Sequence, residues 1–338
     1  MRIASAEVIP YALPFKQPYV TARGTLTRRE MVLLRIRDED GAVGLGEAVP
    51  LSLRGGATLE AVVAELRAWA AEPDVDAPRS APARCAVATA RIDLDARREG
   101  VPAWRHLGAE GGEPVLCNAT LVGGEPLHVA QQALAWEADG FRHFKLKLGG
   151  DADAETTRTV RSAIDPAATV RVDANGAWDP PTAEHILGEI EELEIELAEQ
   201  PVASLEEMAR LRRGTSIPLA ADEGVASAED AARAVDLGAC DYATVKASKI
   251  GTPDPRSVAV HLPVYLSSAL DGPVGIAAAA HAAQLLDAPL AHGLATQRLF
   301  AESIAAAGCE LRGDMLHLPP GFGLGVEIDE AALERHRL

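Results

Sequence analysis

The chain has 338 residues, room for two domains of about 150 residues each or for one α/β barrel of about 250 residues with an appended unit, and it can bury a full core without staples. Acidic residues outnumber basic ones 50 to 32, and the formal charge of -18 argues against a nucleic-acid or anionic-membrane partner. Four scattered cysteines, Cys85, Cys117, Cys240 and Cys309, form no CxxC pair, which argues against a disulfide framework or zinc ribbon and for a reducing compartment. Of the 32 basic residues, 27 are arginine and five are lysine: Lys16, Lys145, Lys147, Lys246 and Lys249. Lysine can release its proton at accessible pH and arginine cannot, so the places where lysine stays are informative.

Glu7, Pro10 and Pro14 interrupt the apolar run that a secretory segment would need. No stretch approaches the roughly 20 apolar residues of a membrane span; the Ala-rich run 276–286 is broken by His281. The expectation is a cytoplasmic, soluble protein, in which the Asn118-Ala119-Thr120 sequon is a chance match.

In chain order, residues 3–13, 31–40 and 42–49 read as an extended meander with a hairpin turn at Asp40-Gly41. Helical patterns follow at 58–70 and 83–100, separated by a Pro-rich stretch, which makes residues 1–112 an α+β capping unit. From 113 to 305, short apolar strands alternate with helical patterns. The strands fall at 115–121, 144–148, 169–174, 195–200, 217–222, 241–247, 262–268 and 290–294, and eight such repeats predict a (β/α)8 barrel. Residues 306–338 fit no further repeat and are expected to return to the cap. Gly321, Gly323 and Gly325 lie too near the C-terminus for a dinucleotide-binding βαβ unit.

Barrel active sites form at the C-terminal ends of the strands. The last polar residues of six successive strands are Lys147, Asp173, Glu199, Asp222, Lys246 and Ser268, spaced by 26, 26, 23, 24 and 22 residues. One period per βα unit places two lysines and three carboxylates around one mouth. Asp173, Glu199 and Asp222 offer hard oxygen ligands that suit Mg2+, with Mn2+ as a substitute, although each alone also fits a helix N-cap. Lys145 and Lys147, two apart on a strand, project from one face. Mutual repulsion and burial are expected to depress their pKa values and leave one as a neutral base; the alternative is a solvated surface pair. A metal facing two opposed lysines suits removal of a proton next to a substrate carboxylate, with the enediolate stabilised by the metal.

The motifs Lys145-Leu146-Lys147, Asp173-Ala174-Asn175, Glu199-Gln200-Pro201, Ala221-Asp222-Glu223 and Val245-Lys246 resemble the enolase superfamily, muconate-lactonizing subgroup. Within it, the segment from Leu266 through Ser267, Ser268, Ala269 and Leu270 to Ala277, and the tail Pro320-Gly321-Phe322-Gly323-Leu324-Gly325, are similar to the o-succinylbenzoate synthases of menaquinone biosynthesis. The resemblance covers nearly the whole chain and implies a modified (β/α)8 barrel with an N-terminal α+β cap. It also implies a Mg2+-assisted syn dehydration of 2-succinyl-6-hydroxy-2,4-cyclohexadiene-1-carboxylate, a small-molecule carboxylate substrate, in a chain for which a homo-oligomer stays open. By that resemblance Lys147 is the acid/base, Lys246 a cation against the enediolate, and Lys145 orients the substrate carboxylate. Asn175, Gln200 and Glu223 then stand behind the ligands. Ser267 and Ser268 face the succinyl group, and the loop Thr21-Ala22-Arg23-Gly24 closes over the site. Thr252 departs from the family pattern, in which a second glycine commonly follows Gly251. An N-succinylamino acid racemase, a dipeptide epimerase or a muconate cycloisomerase would use the same lysines, and a non-catalytic barrel binding protein is the remote alternative. Against the dipeptide epimerase, the stretch 291–298 lacks the paired acids that hold a substrate ammonium. His292 reads as a structural residue, and Lys16 and Lys249 have no assigned role.

Overall fold

A computed structural model of the protein describes residues 3–21, 24–52, 55–73, 77–288 and 290–338. Three antiparallel strands, β1 (Ile3–Thr21), β2 (Gly24–Asp38) and β3 (Val43–Ala48), open the chain in the order β1-β2-β3. The turn between β2 and β3 is held by Asp38, whose Oδ1 accepts the N–H groups of Asp40 and Ala42. Two helices, α1 (Leu59–Ala71) and α2 (Ala81–Glu99), cover this sheet. Gly44 and Gly46 let α2 lie directly on β3. A Cβ at Gly46 would stand 1.9 Å from the Ala86 carbonyl oxygen, and one at Gly44 would stand 2.2 Å from that of Ala90.

After α3 (Ala103–His106) the strand-helix alternation begins with β4 (Val115–Leu116), β5 (Ala119–Leu121), α4 (Pro126–Ala138), β6 (His143–Lys147) and α5 (Asp153–Ala163). It continues through β7 (Thr169–Asp173), α6 (Pro180–Ile190), β8 (Ile195–Glu199), α7 (Leu205–Leu211), β9 (Leu219–Ala221) and α8 (Ala228–Leu237). Then come β10 (Tyr242–Val245), the short α9 (Ala247–Ile250) and α10 (Arg256–Ala259), β11 (Val264–Leu266) and α11 (Pro273–Ala283). Strands β5 to β11 form one parallel sheet in sequence order. Their outward residues, such as Phe144 and Leu146, share a core with Val129, Ala133 and Val160 of the helix layer. Leu197, Ala220, Tyr265 and Leu290 form a separate small cluster.

The expected eighth strand is reduced to a bridge. His292 donates to the Leu116 carbonyl (2.8 Å) and accepts from Asn118 N–H (2.9 Å), while Gly293 donates to Leu266 (2.8 Å) and accepts from Ser268 N–H (2.9 Å). These four bonds join the two ends of the sheet and close the ring. The curled parallel sheet with its antiparallel cap is the modified barrel that the family resemblance implies.

The C-terminal segment holds β12 (Ala305–Ala307), β13 (Glu310–Arg312), β14 (Met315–His317), β15 (Glu327–Ile328) and α12 (Glu330–His336). Strand β14 pairs with β4, whereas Leu324 donates to Asp93 of α2 and Leu338 donates to the Pro10 carbonyl of β1. It therefore ties barrel to cap. No described helix is long and apolar enough to cross a membrane.

Candidate active site

Parallel pairing fixes a polar row across three strands. Lys147 of β6 pairs in register with Asp173 of β7, and Asp173 pairs with Glu199 of β8. Lys147 Nζ donates to Asp173 Oδ2 (2.5 Å) and Asn175 Oδ1 (2.9 Å). Lys145, two residues earlier on the same face, places Nζ 2.7 Å from both Glu199 oxygens and 2.7 Å from Asp173 Oδ2. Asp222 follows β9, where Lys246 donates to Oδ2. Lys249 donates to Oδ1 (2.8 Å), to the Asp222 carbonyl and to the Thr244 carbonyl (3.0 Å). The three carboxylates are 0% exposed.

The loops behind this row are held by side chains. Asn175, with a left-handed φ of 49°, donates through its amide to Glu223 Oε1 (3.1 Å) while its backbone N–H bonds Asp173 Oδ1 (2.9 Å). Gln200, with φ 37°, accepts from the N–H groups of Asp222 (2.9 Å) and Gly224 (3.1 Å), so it sets the turn that carries Asp222. Non-glycine residues in this strained region persist where the surroundings over-determine them, commonly at functional sites.

Above the row lies a cavity of about 520 Å³, lined by Lys145, Lys147, Lys246, Asn175 and Glu223. Strands β6 and β10 stand four positions apart in a ring of eight, so Lys147 and Lys246 face the cavity from opposite sides. Tyr19, Arg29, Pro50 and Leu51 of the cap form part of its wall, and Ser267 to Leu270 form another. Ser268 lines the cavity, but its hydroxyl donates to Asp271 Oδ2 (2.7 Å) and accepts from Asp271 N–H (2.8 Å). That hydroxyl is thus engaged within its own loop. Gly24 pairs with Thr21 at the end of the β1-β2 hairpin, and Arg23 lies outside the described residues.

The electrostatics differ from the expectation for Lys145. Burial opposes its charge, but Asp173, Glu199 and Asp222 together outweigh burial and hold the ammonium well above the ordinary lysine range. Burial likewise opposes the charge on Asp173, yet Lys145 and Lys147 pull its carboxyl well below the usual carboxylate range. Counting lysines against one another left out three facing carboxylates.

Do these residues suit a divalent cation? The donor set is all carboxylate oxygen, the chemistry of Mg2+ rather than of a thiolate or imidazole metal. One cationic centre, Lys145 Nζ, already contacts Asp173 and Glu199 together, so two of the three carboxylates converge closely enough to share a positive charge. Among the described residues no group of three or more carboxylate, imidazole or thiol side chains stands close enough to hold a metal as placed; the ammonium groups lie between them.

Two family models match the chain: "Mandelate racemase / muconate lactonizing enzyme, N-terminal domain" over residues 3–108 and "Enolase C-terminal domain-like" over residues 128–332. The chain belongs to the enolase superfamily. It is 30% identical to N-succinylamino acid racemase from Thermus thermophilus over 99% of this chain and 97% of that one. It is 41% identical to o-succinylbenzoate synthase from Thermobifida fusca, over 44% of this chain and 48% of that one. The dipeptide epimerase of Enterococcus faecalis, crystallised with Mg and the dipeptide L-Leu-L-Tyr, superposes with a TM-score of 0.91 at 25% identity, covering 97% of this chain and 100% of that one. Members of the superfamily are enzymes that use Mg2+, lyases and racemases among them.

Several residues of this superfamily member were missed by reading strand ends alone. Tyr265 donates to Glu199 Oε2 at 2.5 Å, and its ring centre lies 5.0 Å from the Arg171 guanidinium. Arg171 sits two residues before Asp173, whereas Tyr265 sits two before Ser267 and so out of step with Ser268, the last polar residue of its strand. The period-2 rule that linked Lys145 to Lys147 would have found Arg171 but not Tyr265. Arg29 of β2 reaches the Pro50 carbonyl (2.7 Å) and the Ala269 carbonyl (3.0 Å), a contact across 240 positions that no local signal foretells.

Proposed function

We propose that this chain is an o-succinylbenzoate synthase, a hydro-lyase that aromatises 2-succinyl-6-hydroxy-2,4-cyclohexadiene-1-carboxylate by loss of water. The observation that carries the reading is the placement of Lys147 and Lys246 on opposite sides of one cavity above three buried carboxylates. Asp173, Glu199 and Asp222 would hold a divalent cation. Bound there, it would neutralise charge that the substrate carboxylate gains as the α-proton leaves.

In a syn elimination the proton and the hydroxyl depart from one face, so one group can serve both steps. Lys147 takes the α-proton, the C–O bond breaks, and the same lysine returns the proton to the departing hydroxide as water. Asp173 and Asn175 hold the Lys147 nitrogen at two points beside the cavity, and it acts as the base once its own proton has left. Lys246, across the cavity, offers a positive charge to the opposite face. Lys145 draws Asp173 and Glu199 together. The small carboxylate substrate fits a cavity of about 520 Å³.

Dehydration is preferred because the 41% identity to the Thermobifida synthase exceeds the 30% to the Thermus racemase, and because Ser267 to Leu270 line the cavity. N-succinylamino acid racemisation is the second reading, favoured by that racemase's 99% coverage and by two lysines that could serve one face each. The dipeptide epimerase is less favoured, since the segment after the ring-closing bridge presents Thr296 to the cavity rather than a carboxylate. The test is appearance of the aromatic product on mixing the purified chain with the cyclohexadiene and Mg2+. The reading expects turnover that EDTA abolishes; a rate equal to the uncatalysed one in both conditions would overturn it.

A further inference from the structure

Tyr265 has no place in the proton transfers, yet it is fully buried and its hydroxyl ends on Glu199. It belongs to β11, three strands from β8 in the sheet, so the contact spans the interior of the ring rather than linking neighbours. Below it, Arg171 lies against the ring face at 5.0 Å and is itself anchored to Glu196 Oε2 through Nε (2.8 Å) and to the Ala291 carbonyl (2.9 Å). Leu197, Ala220 and Leu290 complete the packing around Tyr265. The ring is therefore held on several sides.

We propose that Tyr265 is a positioning residue for Glu199, fixing its carboxylate in the orientation that a divalent cation needs. The inference rests on the metal reading made above. A phenol-to-carboxylate bond of 2.5 Å is short and charge-assisted, stronger than a neutral hydrogen bond. It engages Oε2, which leaves Oε1, beside Lys145 at 2.7 Å, as the less committed oxygen. A phenylalanine would fill nearly the same space, so packing alone does not call for the hydroxyl. Groups that orient metal ligands in this way typically change metal affinity by about 10–100-fold when removed.

The experiment is Mn2+ titration of the full chain by calorimetry, wild type against Tyr265→Phe, with thermal unfolding of both. The proposal expects Mn2+ affinity to fall about tenfold or more in the variant, measured at a temperature where the unfolding curves show both proteins fully folded. It also expects the Mg2+ concentration for half-maximal turnover to rise, with kcat at saturating Mg2+ nearly unchanged. A variant that binds Mn2+ within twofold of wild type overturns the role of Tyr265 and leaves the metal reading standing, whatever its thermal stability. Wild-type protein that binds no Mn2+ overturns the metal reading and this role with it. Should Tyr265→Phe not fold, Tyr265→Leu gives the same comparison.

Discussion

Lys147 Nζ stands 2.5 Å from Asp173 Oδ2, on the adjacent strand and in direct register. Arginine at this position would keep the ion pair but could not become a neutral base. Lys147→Arg is therefore expected to fold normally and to lose about 10²–10⁴-fold in kcat, the usual worth of general acid-base catalysis. Steady-state kinetics decide; near-normal turnover would remove Lys147 from the proton path.

Asp222 is wholly buried and takes contacts from both Lys246 and Lys249. In Asp222→Asn the two ammonium groups lose their buried counter-charge, which costs about 3–5 kcal/mol when one partner of a buried pair is deleted. Urea unfolding should show that loss, and calorimetry should show weaker Mn2+ binding. Unchanged Mn2+ affinity would strike Asp222 from the set of groups proposed to hold the cation.

How much of this was legible in the sequence varies with distance along the chain. The spacing from Lys147 to Ser268 exposed the barrel because one side chain per βα unit must reach the same mouth. In the interior layer beneath it, Arg171 follows the same period but lay among apolar strand residues and was not distinguished from core, while Tyr265 is one residue out of step with Ser268 and no spacing signal reached it. The Arg29 contact to the 269 carbonyl and the closure through His292 and Gly293 depend on chain segments brought together only by folding. Charge balance was likewise hidden: that Lys145 is held up rather than pushed down depends on three carboxylates from three strands.

Glu47 of β3 joins cap to barrel, accepting from Tyr11 Oη (2.9 Å) and Gly272 N–H (2.6 Å). Burial first, and then the charge of Asp271, push its carboxyl from an ordinary 4.5 to about 8. The unfolded chain releases this proton near 4.5 and the folded chain keeps it to about 8, so the stability it contributes is full below 4.5 and lost as pH rises through 8. At about 1.4 kcal/mol per pH unit the total is on the order of 5 kcal/mol. His281 and His292 run the other way: burial lowers both to about 4, so their contribution is full above 6.5 and lost as pH falls through 4. Urea unfolding from pH 5 to 9 should show Glu47→Gln losing less stability than wild type on the alkaline side. Parallel curves would contradict the buried, protonated Glu47.

A methyl group at Gly46 would collide with the Ala86 carbonyl of α2. Backbone cannot yield as a flexible side chain can, so Gly46→Ala should force α2 from the sheet at a cost of about 1–3 kcal/mol or more. The check is its unfolding free energy against that of wild type; equal values would mean that the cap accommodates the methyl freely.

The choice of dehydration by this site is tested by kcat/KM with Mg2+ for the cyclohexadiene carboxylate beside that for N-succinyl amino acids, on the same purified protein. Efficient formation of 2-succinylbenzoate is expected, at a kcat/KM above that for racemisation. Clear racemisation with no dehydration above the uncatalysed rate would contradict it.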